Sequence, residues 1–264
     1  MSHSSKIVPP IQLKSFNPDF HNGLDKNETR KITARFCERI GDLQHLLYAN
    51  ASHSLLLLFQ GMDCSGKDGA IKTVLEFVNP IGVETTSFKA PSREEAAHDF
   101  LWRIYHSVPR FGNIGIFNRS HYEEVLIVRV LGLQPKEIWQ KRYEQINAFE
   151  KLLTDNNVIL VKFFLHISKE EQAERLQARL DDPTKNWKFE SGDLKMRERW
   201  NDFQKAYEDI LNKCSTSFAP WHLIPADRKW YRDFIVAQTV LHALEKLKMK
   251  WPKAREDLSK IKIV

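Results

Sequence analysis

The stretch GMDCSGKDGA, residues 61–70, holds the residue types that grip a phosphate. A Walker A loop runs G-x-x-x-x-G-K-[ST]. Gly61, Gly66 and Lys67 keep that spacing, but Asp68 stands where a hydroxyl normally meets magnesium. Glycines let successive backbone N–H groups turn into a concave nest, and the start of a following helix adds positive potential there. Lys67 would add a mobile ammonium. The context has the required form, with the apolar run SLLLLFQ (54–60) before the loop and the helical pattern GAIKTVLEFVN (69–79) after it. A carboxylate at 68 either reaches a metal-bound water or repels phosphate unless a cation neutralises it. Asp63 is a second acid inside the loop, and two acids beside one lysine suit a loop that holds phosphate together with a metal.

Two further clusters carry charge suited to phosphate. IFNRSHYEE (116–124) follows a short apolar run, so Asn118 and Arg119 fall at a strand's carboxyl end, where open α/β sheets collect ligands. Arg119 there either stabilises a transferring phosphoryl group or pairs with a surface acid, and Asn118 either joins it or caps the next helix. The third cluster is Arg175, Arg179, Lys185, Lys188, Lys195, Arg197 and Arg199. It reads as a solvated basic stripe or as a lid over phosphates spanning about 175–200. The interleaved Trp187 and Phe189 either stack on nucleic-acid bases or anchor such a lid.

These residues need elements to position them. VILVKFFLHIS (158–168), GVETTSFKA (82–90), GNIGIFNRS (112–120) and WHLIPA (221–226) read as strands, with SLLLLFQ the fifth. Helical periodicity marks 25–49, 92–108, 135–157, 194–214 and 227–247, with shorter helices after the loop, after Ser120 and over KEEQAERLQARLDD. Ser92 and Glu95 have capping-box spacing, which predicts a helix across 92–108. Strands alternating with helices predict a parallel sheet between helical layers. No linker or repeat interrupts the chain, so residues 1–264 are expected to form one domain, with residues 1–50 an arm and a helix.

Composition limits the alternatives. Apolar residues make up 42% and charged residues 28% of 264, an ordinary globular balance. The longest apolar run, Leu55–Phe59, is too short for a bilayer. Residues 1–20 show no secretory signal pattern. Three scattered cysteines, Cys37, Cys64 and Cys214, form neither a disulfide framework nor a zinc motif, so a cytoplasmic location is expected. The net charge of +6 favours a polyanionic partner or simple solubility.

Taken in order, GMDCSGKDGAIK, SFKAPSREEAAHDFLWR, GIFNRSHYEEVL, KFFLHISKEEQAERL, TKNWKFESGDLKMRERW and WHLIPADRKWYR closely resemble the polyphosphate kinase 2 family, over about residues 7–248. The resemblance implies a three-layer α/β/α fold of the P-loop kinase type with a five-stranded parallel sheet and a helical lid. It implies reversible transfer of the terminal phosphoryl of inorganic polyphosphate to purine nucleotides with Mg²⁺, or Mn²⁺ in its place. No nucleic acid or membrane is involved, and a homo-oligomer, dimer or tetramer, is expected. The family loop reads G-x-D-x-x-G-K-x-G, which Gly61, Asp63, Gly66, Lys67 and Gly69 match, so Asp68 is no defect. By resemblance Asp63 is the metal-associated acid, and Asp63, Lys67, Arg119 and Arg179 are catalytic. Ser65, Asp68, Lys72 and Arg129 join them and the loop glycines as phosphate contacts. Lys89, Asp99, Arg103, Asn118, His121, Glu123, Lys185 and Lys188 are the nucleotide candidates. Many members carry F-D-R-S-W where this chain has Phe117-Asn118-Arg119-Ser120-His121. The Asn form resembles the subgroup that accepts nucleoside monophosphates as well as diphosphates. The remaining rivals are an ATP-dependent nucleotide kinase and a non-catalytic polyanion-binding module.

Overall fold

SLLLLFQ forms strand β1 (Ser54–Gln60), and all seven residues are buried. A strand buried on both faces needs apolar residues at every position, which is why the run does not alternate. Leu55, Leu57 and Phe59 pack into one hydrophobic cluster, and Leu56 and Leu58 into another on the opposite face. The other strands are β2 (Val83–Ser87), β3 (Ile114–Asn118), β4 (Val158–His166) and β5 (Trp221–Pro225). The computed structural model describes residues 6–254, 256–258 and 261–263. In it the strands form one parallel sheet in the order β2-β3-β1-β4-β5.

Helices cover both faces of this sheet. Helices α1 (Lys26–Asn50) and α2 (Lys67–Val74) lie on the Leu55 face. After α3 (Trp102–Tyr105), α4 (Glu123–Val130) lies on the Leu56 face. The short α5 (Lys136–Trp139) leads to α6 (Arg142–Asp155), also on the Leu56 face. Next come α7 (Lys169–Asp181) and α8 (Ser191–Glu198). The last two are α9 (Trp200–Cys214), on the Leu56 face, and α10 (Lys229–Glu245), which completes the layer of α1 and α2. This is the α/β arrangement the strand–helix alternation predicts. Helix α1 begins at Asp25, whose carboxylate accepts from the N–H groups of Asn27 and Glu28, both at 2.9 Å. The arm before α1 follows the β5 edge: Ile7 N–H donates to the Trp221 carbonyl at 2.9 Å, and Ile11 exchanges two hydrogen bonds with the Asn212 amide.

The helix predicted across 92–108 is corrected. The Ser92–Glu95 capping box forms, with both reciprocal hydrogen bonds. Yet only a 3₁₀ turn, Glu95–Ala97, follows before His98 turns extended at φ −110°, ψ 175°. The Asp99 carboxylate then accepts from Leu101 N–H at 2.9 Å and starts the separate helix α3. Asp residues compete for backbone donors in this way, which breaks a helix that periodicity alone would continue. Likewise 135–157 divides into α5 and α6, and 194–214 divides at Arg199 between α8 and α9.

No helix among the described residues is long and apolar enough to cross a membrane.

Candidate active site

The loop between β1 and α2 closes only with residues in the left-handed region. Gly66 has φ +95°, and even Cys64 has φ +65°. The positive φ favours glycine at 66, and a Cβ there would also lie 1.9 Å from Arg232 Nη1 and displace that guanidinium. Arg175 clamps the loop from α7, donating through Nη1 to the carbonyls of Cys64 (2.9 Å) and Ser65 (3.2 Å). Through Nη2 it also binds the carbonyls of Ala226 and Asp227. Lys67 is 9% exposed, and its ammonium donates to the carbonyl of Gly61 at 2.9 Å. Burial pushes its pKa below the usual lysine value, against the pull of Asp63. The buried Ser65 hydroxyl has no hydrogen-bond partner among the described residues.

The second motif meets the first because β1 and β3 are neighbours, with Phe59 opposite Asn118. Arg119 N–H donates to the Phe59 carbonyl at 3.0 Å, and its residue has φ +62°. Its guanidinium reaches Asp63 Oδ1 at 2.9 Å, and Asn118 Nδ2 donates to Asp68 Oδ1 at 2.8 Å. Both loop acids are thus tied to the β3 end. Burial acts to lower the Arg119 pKa, but Glu123 and Asp63 outweigh it and raise it. Burial raises the Glu123 carboxyl, and Arg119 and Gln60 beside it only partly offset that.

Of these groups Gly61, Asp63, Arg119 and Glu123 line a cavity of about 490 Å³, whereas Ser65, Lys67, Asp68 and Asn118 do not. Lys89, Arg103, Leu131, Leu133 and Gln134 line it too. Arg103 Nη1 donates to the Lys89 carbonyl at 2.9 Å. Glu190, Gly192 and Asp193 close the cavity from the segment expected to be a lid. Arg179 donates to Asp193 Oδ2 at 3.3 Å and to the Lys188 carbonyl at 3.2 Å. Helix α7 links this segment to the loop: Gln172 Nε2 donates to the Asp63 carbonyl at 2.9 Å, and Gln172 Oε1 accepts from Arg197 at 2.9 Å.

Several expected contacts stand elsewhere. Arg129, at the last turn of α4, donates to Asp209 and to the Tyr143 hydroxyl and lies 5.0 Å over the Trp139 ring. It braces α4 against α5, α6 and α9 rather than facing the loop. His121 is fully buried and turned into the core, its Nε2 3.2 Å from Glu150 Oε1. Asp99 accepts from Leu101 N–H in the turn before α3, and Lys185 pairs with Asp182 while Lys188 lies over Trp187. None of these lines the cavity, and neither does the exposed Lys72 on the second turn of α2. Conversely, sequence reading missed Tyr207, Asp193, Glu124 and Arg142. Tyr207 lines the cavity from α9, and burial pushes its hydroxyl well above the usual tyrosine pKa. Arg142 donates to Glu124 Oε2 at 2.6 Å, and Arg103 reaches Glu124 Oε1 at 3.5 Å. Only three-dimensional packing brings these residues from α4, α6, α8 and α9 to one wall, and no local spacing marks them.

His121 allows a pH prediction. Burial lowers its pKa below the ordinary 6.5, with the Glu150 hydrogen bond only partly restoring it. A depressed folded-state pKa contributes stability that is complete above the unfolded value and is lost as pH falls. From pH 6.5 towards 5 the wild type should therefore lose up to about 1.4 kcal/mol per pH unit more than His121→Gln, which cannot titrate. Thermal unfolding of both proteins across this range checks it.

The family model described as Polyphosphate kinase 2 (PPK2) matches residues 23–252. The chain belongs to the polyphosphate kinase 2 family. Its similarity to an AMP/ADP-polyphosphate phosphotransferase of Meiothermus ruber is 46% identity over 255 residues, 96% of either chain. An ADP-polyphosphate phosphotransferase of Rhodopseudomonas palustris is 48% identical over 227 residues, 81% of this chain and 78% of that one. The crystal structure of polyphosphate kinase 2 from Arthrobacter aurescens superposes with a TM-score of 0.93 at 42% identity, covering 96% of this chain and 92% of that one. As a polyphosphate kinase 2 fold, the five-stranded parallel sheet with its phosphate loop is of the P-loop kinase type. Kinases of this family generally need a divalent cation.

Proposed function

We propose that this chain transfers the terminal phosphoryl group of inorganic polyphosphate to ADP, and also to AMP and GDP, in a reversible reaction. The observation that carries the reading is the contact between Asp63 in the phosphate loop and Arg119 at the β3 end, in the wall of a cavity that Lys89 and Arg103 also line. A phosphate chain end in the loop and a nucleotide phosphate in that cavity would meet at Arg119. The names of the Meiothermus and Rhodopseudomonas relatives support polyphosphate and adenine nucleotides as the substrates.

Phosphoryl transfer leaves little covalent chemistry to a protein, so positioning and charge neutralisation supply most of the catalysis. The loop N–H groups and the Ser65 hydroxyl would hold the donor. Lys67 would exchange its loop carbonyls for phosphate oxygens, and Arg179 would leave Asp193 for the same purpose. Arg119 would spread its charge over the transferring group. The attacking oxygen is an ionised phosphate oxygen, so no strong general base is required, and Glu123 orients the acceptor.

Among the described residues no three His, Cys, Asp or Glu side chains converge to form a metal cage. The partly exposed Asp63 carboxylate lines the cavity and offers hard oxygen donors there. That set fits Mg²⁺, with Mn²⁺ as substitute, because magnesium is commonly held by one or two carboxylates together with substrate phosphates and water. Bound there, the ion would neutralise donor and acceptor phosphates.

Asn118 gives a second test. It hydrogen-bonds Asp68 as a neutral amide, which keeps one negative charge away from the acceptor phosphates. AMP, ADP and GDP incubated separately with polyphosphate and Mg²⁺ should each gain a phosphoryl group. Wild-type protein that phosphorylates ADP but leaves AMP untouched would refute the role given to Asn118.

A further inference from the structure

Behind the turn that carries Arg119 lies a buried polar cluster that touches neither the phosphate loop nor the cavity. His121 and Tyr122, consecutive on that turn, both meet one carboxylate oxygen on α6: His121 Nε2 lies 3.2 Å from Glu150 Oε1, and the Tyr122 hydroxyl donates to the same atom at 2.8 Å. Glu150 Oε2 accepts from Lys162 of β4, which also donates to the Tyr122 hydroxyl at 2.9 Å and to the Cys214 carbonyl at 2.7 Å. The His121, Glu150 and Lys162 side chains have no exposed surface. Desolvation alone would raise the Glu150 carboxyl, but Lys162 and His121 overturn it, so Glu150 is held as the carboxylate. Between this anchor and the site stands Ser120, buried, its hydroxyl accepting from Gln60 Nε2 at 3.1 Å and from Tyr122 N–H at 3.2 Å.

We propose that Glu150, acting through His121 and Tyr122, is a positioning residue for Arg119; the proposal rests on the phosphoryl transfer put forward above. Arg119 sits at φ +62°, a conformation a non-glycine residue keeps only when its surroundings impose it. The surroundings that impose it are the Phe59 carbonyl on one side and the His121–Tyr122–Glu150 anchor on the other. An apolar core of the same volume would serve stability at least as well as a buried ion pair, so stability alone does not account for this one. Releasing the anchor lets the turn relax and moves the guanidinium away from Asp63 and from the transferring phosphoryl. A displacement of about 1 Å at such a group costs about a hundredfold in rate.

The test is a double-mutant cycle in steady-state kinetics with ADP, polyphosphate and Mg²⁺. His121→Leu and Tyr122→Phe each remove one hydrogen bond to Glu150, and each should lower kcat about ten- to a hundredfold, with KM for ADP unchanged within about twofold. His121→Gln places an amide N–H near the position of Nε2 and should restore most of the rate. In the Arg119→Ala background neither substitution should cost more than about a further twofold, because the group they position is gone. A loss that persists undiminished in that background, or one expressed in KM, overturns the proposal. Should His121→Leu fail to fold, Tyr122→Phe keeps its ring in place and carries the cycle alone. Running the cycle with ATP as donor separates the two claims. A wild type that uses ATP but not polyphosphate overturns the donor assignment, and the cycle still decides the positioning. A wild type inactive with both donors overturns both.

Discussion

Lys67→Ala should lower kcat/KM for polyphosphate-driven ATP formation by about a thousandfold, in the range found when a preorganised charge at a transferring group is removed. Lys67 is the one ammonium inside the loop, nine-tenths buried, and it rests on the carbonyls of Gly61 and Met62. It can therefore turn to a phosphate over a short distance, and no neighbouring lysine takes its place, since Lys72 is exposed a turn and a half away on α2. Because burial disfavours the charged form, a phosphate oxygen beside the ammonium would favour it again. Arg175 still holds the loop through the Cys64 and Ser65 carbonyls, so loss of the Lys67 hydrogen bonds to Gly61 and Met62 should lower the melting temperature by only a few degrees. Initial rates with ADP and polyphosphate, together with a thermal melt, check both statements.

Lys162→Met should cost stability rather than chemistry, by about 3–5 kcal/mol, because it leaves Glu150 charged and buried without its counter-ion. For a chain of this size that corresponds to a fall of about ten degrees or more in melting temperature. Lys162 and Glu150 lie between β4 and α6, and the rings of Tyr122 and Trp221 lie 5.3 and 5.1 Å from the ammonium, so water cannot reach the stranded carboxylate. Removing both charges, as Lys162→Met with Glu150→Leu, should recover most of the loss. That double variant also lacks the anchor behind Arg119, so it should melt near the wild type and still turn over slowly. Calorimetry and kcat on the same preparations separate the two effects.

The parts of the molecule legible in the sequence are those whose cause is local. Strand β1 was marked because burial on both faces demands an unbroken apolar run. The loop was marked because its glycines and lysine must follow one another at fixed spacing. Arg119 was placed beside the loop only on the assumption that two strands are adjacent, which the pairing of Phe59 with Asn118 supplies. Where direction or distance decides, spacing failed. His121 and Arg129 belong to the right segment, but their side chains turn to Glu150 in the core and to Asp209 on α9. The helix expected over 92–108 stopped at His98 because the Asp99 side chain captured a backbone donor. Arg175, grouped by sequence with a lid, lies under the loop and binds four carbonyls. Tyr207 and Asp193 come to the cavity only through the packing of α9 and the segment before it.

The identity of the donor tests the account most directly. Purified protein, ADP and Mg²⁺ should form ATP when inorganic polyphosphate is added and form none without it, with one terminal phosphate lost from the chain for each ATP gained. Lys67→Ala should abolish nearly all of that conversion. Nucleotide phosphorylation that proceeds with ATP or GTP as donor but not with polyphosphate would contradict the account.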